Sequence, residues 1–79
     1  MSASTFEELP QRLQPVLLEL VEGKTNAEIA DACSLQVHTV EKYVSELLAH
    51  FQCRNRGELI ARVLRGEFGD LSYFGEVSG

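Results

Sequence analysis

The chain has 79 residues, a formal net charge of −5, 44% hydrophobic residues and 24% charged residues. That length holds one small domain and no second, and the composition is that of an ordinary globular domain. No apolar run approaches the ~20 residues that cross a bilayer. No basic segment followed by an apolar one opens the chain, so a cytoplasmic protein is the expectation.

Four helices are predicted from apolar spacing and caps. The first carries Leu13, Val16, Leu17, Leu20 and Val21 at i, i+3, i+4, i+7 and i+8. Pro15 lies inside that stripe, and proline is tolerated only in a first turn. The helix therefore starts near Leu13 or Gln14. Residues 6–12 form a separate turn, opened by Thr5 and Glu8 as a capping box. Gly23 ends the first helix in the left-handed conformation. Thr25 and Glu28 make a second capping box and start a short helix through about Ala32, burying Ile29, Ala30 and Cys33. Ser34 and Leu35 make a turn. The third helix runs from about Val37 to Phe51 and turns Val40, Val44, Leu47, Leu48 and Phe51 to the core. Its other face carries His38, Glu41, Lys42, Ser45, Glu46 and Ala49. Asn55 and Glu58 cap a fourth helix that buries Leu59, Ile60, Val63 and Leu64, and Arg65-Gly66 stops it. No stretch alternates convincingly with period two, so no sheet is expected and the fold class is all-α.

The acidity sits at the ends. Residues 1–22 and 66–79 each carry −3, and residues 23–65 carry +1. A near-neutral middle still binds phosphates if its bases share one face. Cys33 and Cys53 show no C-x-x-C spacing and no paired histidines, so no metal site is expected; both read as reduced, buried residues. The tail contains three glycines, against regular structure, yet Phe68, Tyr73 and Phe74 are half of the six aromatics. Phe68, Leu71, Tyr73, Phe74 and Val77 are expected to pack, either on helices one and four or on a partner. The segments are thus residues 1–8 as an N-terminal extension, 9–66 as the domain and 67–79 as an aromatic tail.

A short capped helix, a tight turn and a second amphipathic helix are the layout of a helix-turn-helix. The residues that carry it are specific. Gly23-Lys24-Thr25-Asn26-Ala27-Glu28-Ile29-Ala30, then Thr39-Val40, Val44 and Leu47-Leu48, then Arg54-Asn55-Arg56-Gly57-Glu58-Leu59 resemble the LuxR/FixJ/GerE-type helix-turn-helix across roughly residues 9–64. The resemblance implies a four-helix domain whose third helix reads double-stranded DNA, and homodimer pairing, often through the fourth helix. On that reading His38, Thr39, Glu41, Lys42 and Ser45 lie near base edges. Lys24, Thr25, Asn26, Tyr43 and Arg56 hold the DNA backbone, and Leu59, Ile60, Val63 and Leu64 form the dimer interface. For Lys24 and Thr25 the plainer reading is a solvated lysine beside a cap. Arg54 and Arg56 read equally as partners of Glu28 or Glu58.

The sequence also departs from the family pattern. The first helix lacks both glutamates of T-P-R-E-x-E, having Leu13 and Pro15 instead. Gln36 replaces the usual serine cap of the third helix. Glu41 stands where lysine is common, Tyr43 replaces histidine, and Ala49-His50 replaces a basic pair. These departures and the acidic flanks motivate a rival, a module of the same fold that binds another regulator or a polymerase subunit, through the flanks or the aromatic tail. No Ser/His/Asp or Cys/His set, paired-carboxylate motif or glycine-rich phosphate loop is present. No enzyme activity and no cofactor are expected.

Overall fold

A computed structural model describes residues 5–70. Two single 3-10 turns, Phe6–Glu8 and Gln11–Leu13, lead into α1 (Gln14–Leu20), α2 (Asn26–Cys33), α3 (Val37–Phe51) and α4 (Arg56–Leu64). There is no strand among the described residues. The four predicted helices are present, and α3, the longest, packs against each of the other three.

Local chemistry sets each boundary. Leu9 is extended, with φ −73° and ψ 129°, because the Pro10 ring clashes with a helical residue before it. That stops the first 3-10 turn after two bonds, Glu8 N–H to the Thr5 carbonyl at 3.3 Å and Leu9 N–H to the Phe6 carbonyl at 3.1 Å. The expected Thr5–Glu8 capping box does not form; the Thr5 side chain makes no cap bond. Pro15 sits in the first turn of α1, where its missing N–H costs nothing. Gly23 takes φ +85° and donates its N–H to the Leu20 carbonyl at 2.9 Å. Thr25 and Glu28 form the full reciprocal capping box of α2, at 3.2 and 2.9 Å. Asn55 Oδ1 accepts the Glu58 N–H at 2.9 Å and caps α4.

The two turns around α3 use no glycine. Ser34 ends α2 at φ 58° and Gln52 ends α3 at φ 57°. In each case the following N–H reaches back five residues, Leu35 to the Ala30 carbonyl at 2.8 Å and Cys53 to the Leu48 carbonyl at 2.9 Å. These closing bonds hold both residues in the left-handed well that non-glycine residues otherwise avoid.

Leu17, Leu20, Ile29, Val40, Leu47, Phe51 and Leu59 are fully buried and form the centre of the core. Two sequence expectations change here. Leu64 is 63% exposed, because Leu59 and Val63 already occupy the core-facing row of α4. Ile60 and Leu64 lie one residue further round the helix; Ile60 reaches the core edge and Leu64 points outward.

The core also extends beyond residues 9–66. Phe6 and Phe68, assigned to the flanks, are 2% and 5% exposed. Phe6 donates its N–H to the Phe68 carbonyl at 3.3 Å. The Phe51 ring lies 6.0 Å from Phe6 and 4.4 Å from Phe68. A domain this small has core area to gain, and the end segments supply it. Leu71, Tyr73, Phe74 and Val77 lie outside the described residues.

Candidate nucleic-acid interface

Val40, Val44, Leu47 and Phe51 bury one side of α3. The opposite side presents His38, Glu41, Lys42, Ser45 and Ala49, all exposed. Their spacing of three and four residues makes one continuous stripe. Among the described residues Lys42 makes no ion pair. Thr39 and Tyr43 are half-buried along one flank of this stripe, with Glu46 and His50. Four of the five expected base-edge residues thus share one open face, and Thr39 stands at its margin.

Glu46 does not belong to that open face. Its carboxylate pairs with Arg12 from the second 3-10 turn, and the Arg12 guanidinium lies 5.7 Å from the centre of the Tyr43 ring. The exposed stripe therefore carries one anion, Glu41, and one cation, Lys42, for a formal charge of zero. Sequence reasoning placed Glu46 beside them and missed Arg12. The available signal was that Arg12 is the single base among the first 22 residues.

Four of the five expected backbone-contacting residues, Lys24, Thr25, Asn26 and Arg56, gather where the N-termini of α2 and α4 meet, and Tyr43 stands apart on the flank of α3. Arg56 donates to Asn26 Oδ1 at 2.6 Å and to the Lys24 carbonyl at 2.8 Å. This guanidinium bridge ties the two helix starts together. It involves neither Glu28, which is taken by the capping box, nor Glu58. Glu58 instead accepts the Arg54 N–H at 2.9 Å and lies 3.6 Å from the Arg54 guanidinium and 3.5 Å from that of Arg62. Arg56 makes no ion pair among the described residues, so its charge adds to the positive ends of two helices.

Lys24 is paired with Glu19 at 2.5 Å and Glu22 at 3.6 Å. The Glu19 hydrogen bond is the main cause of its raised pKa. Its charge is largely offset in the free protein, although exposed pairs of this kind separate at little cost. Thr25 is exposed, with its hydroxyl committed to the cap.

On α4, Leu59 and Val63 are 0% and 2% exposed. Of the four residues read as a dimer interface, these two are therefore committed to the core of their own chain. Leu64 with the edge of Ile60 is the apolar surface that remains.

Cys33 is half-buried and Cys53 buried, both as free thiols, and burial pushes both pKa values up. No group of three or more His, Cys, Asp or Glu residues that suits a metal occurs among the described residues. No described helix is long and apolar enough to cross a membrane.

The profile of a family described as "Bacterial regulatory proteins, luxR family" matches residues 7–63. The chain is similar to the "Probable transcriptional regulator ycf29" of Cyanophora paradoxa, 43% identical over 53 residues, covering 67% of this chain and 25% of that protein. It is also similar to the "Response regulator protein VraR" of Staphylococcus aureus, 31% identical over 58 residues, covering 73% of this chain and 28% of that protein. The same identity and coverage hold for VraR of Staphylococcus epidermidis. The chain thus spans about a quarter of the length of these relatives. No solved structure matches the chain.

Proposed function

The chain belongs to the luxR family of bacterial regulatory proteins, and from that premise we propose that it binds double-stranded DNA sequence-specifically as a transcription regulator. In this reading α3 lies in the major groove. The observation that carries it is the open stripe His38, Glu41, Lys42, Ser45 and Ala49, backed along its length by a buried one. A helix fixed on one side and polar on the other presents its side chains to base edges without distorting the core.

Roles follow from chemistry. Lys42 reaches guanine acceptors, and Ser45 and Thr39 donate to bases or phosphate. Glu41 is placed to accept from cytosine N4. Arg56, Asn26, Thr25 and Lys24 lie against the DNA backbone, with the α2 N-terminus oriented to favour a phosphate. Lys24 exchanges Glu19 for phosphate as it docks, and the Tyr43 hydroxyl donates from the flank of α3. Two copies pair through Leu64 and the Ile60 edge and set the half-site spacing. The regulator acts in the cytoplasm.

The protein-interaction reading is favoured by one observation, an exposed Glu41 that makes no ion pair among the described residues, on the stripe that would meet DNA. Selection of a consensus site from randomised duplexes, followed by Lys42→Ala and Lys24→Ala, separates the two readings. Lys42→Ala weakens the consensus and relaxes its sequence choice, whereas Lys24→Ala weakens all sequences alike. If no duplex is retained at low salt, the DNA reading is rejected in favour of a protein partner.

A further inference from the structure

Lys42 and Glu46 are four residues apart on α3, a spacing at which opposite charges meet on a helix surface. Glu46 is the one anion at three or four residues from Lys42 in either direction. Yet the two are not paired. Glu46 is held by Arg12, 34 residues away in sequence, and Arg12 is steadied over the Tyr43 ring. The Glu46 side chain is 30% exposed and that of Arg12 53% exposed. The contact is therefore at the flank of α3 rather than beneath it.

We propose that Arg12 is a positioning residue for DNA recognition: by drawing Glu46 to the flank of α3, it leaves Lys42 without a counter-ion on the face that meets DNA. The proposal rests on the DNA-binding reading above. Without Arg12, Lys42 is the one lysine or arginine within reach of the Glu46 carboxylate on its own helix. The pair would cancel the single positive charge of the stripe and bring a second anion toward the phosphates. Arg12 thus acts through Glu46 and Lys42 and need not touch DNA.

Two measurements test this, and they fail independently. The first uses the free protein. In a crystal structure of Arg12→Ala, the Glu46 carboxylate is expected within hydrogen-bond distance of Lys42 Nζ. A Glu46 that stays clear of Lys42 overturns the proposal, whatever the protein binds. The variant is expected to fold, because an exposed ion pair contributes little to stability.

The second measures anisotropy of a labelled randomised duplex at 0.1 M salt. Losing one effective cation costs about eightfold there and lowers the salt slope by about one. Arg12→Ala should show that loss, and Lys42→Ala the same loss. Arg12→Ala made in a Glu46→Gln background should cost less than about twofold by the same counter-ion argument. If Arg12→Ala costs the full amount in the Glu46→Gln background, Arg12 contacts phosphate directly and the proposal is overturned. If the unaltered protein binds no duplex, the DNA-binding reading fails, while the crystal structure still decides the side-chain exchange.

Discussion

Replacing Phe68 by alanine removes a ring that lies 4.4 Å from Phe51, receives the Arg62 guanidinium at 5.0 Å and is 5% exposed. Phe→Ala changes at buried positions cost about 3–5 kcal/mol. Phe68 lies beyond the end of α4, where the backbone has freedom to relax, so about 3 kcal/mol is the expected loss. A domain of this length has roughly 4–12 kcal/mol in total, and the midpoint of thermal unfolding should fall by roughly 12–24 °C. Circular dichroism melts of the variant and parent at one concentration read this directly. Truncation after Arg65 should lower the midpoint at least as far. A shift of less than about 4 °C, equivalent to under 1 kcal/mol, would mean that Phe68 is not part of the core and that the domain ends with α4.

Ser34→Gly and Gln52→Gly should each stabilise the domain by about 0.5–1 kcal/mol in urea melts, because the left-handed conformation costs other residues roughly 1–2 kcal/mol and glycine returns part of that as unfolded-state entropy; Gly23→Ala should do the reverse, and a destabilising Gln52→Gly would refute the argument. Arg56→Lys should cost about 1–2 kcal/mol in the same assay, since one ammonium does not reproduce a two-pronged bridge to Asn26 and the Lys24 carbonyl; equal stability would show the bridge to be idle. The Glu58 carboxyl is held below its usual range mainly by the Arg54 N–H, and Glu67 mainly by Arg62 and then Arg65. Folded pKa values below the unfolded ones mean stabilisation that is present above the ordinary carboxylate pKa of 4.5 and is lost as pH falls through the lowered values. Glu58→Gln with Glu67→Gln should therefore flatten the acid limb of a stability–pH curve, and an unchanged limb would refute that assignment.

Helix positions were legible because their signals are local. Capping pairs three residues apart, a proline in a first turn and a glycine stop all act within one turn of chain, and Thr25–Glu28 and Asn55–Glu58 show it. Pairings across the fold were not legible. Arg12 meets Glu46 and Arg56 meets Asn26 across 34 and 30 residues, where several carboxylates and amides are equally plausible partners. The left-handed Ser34 and Gln52 carry no glycine signature, since the bonds that hold them arise only when the helix ends close. The exposed stripe of α3 followed from periodicity, but its charge did not, because Glu46 is claimed by a residue outside the helix. Burial on α4 is narrower than its sequence suggests: four apolar residues in two adjacent rows look alike in sequence, and only the row of Leu59 and Val63 fits against the core.

In the proposed function the exposed side of α3 meets duplex DNA. Amide chemical shifts of isotopically labelled protein, followed as a randomised duplex is added at low salt, test it most directly. The largest changes are expected on His38, Glu41, Lys42, Ser45 and Ala49 and at the α2 start around Thr25 and Asn26, and they should diminish steeply as salt is raised. Changes confined to the acidic flanks, or none along α3, would contradict it.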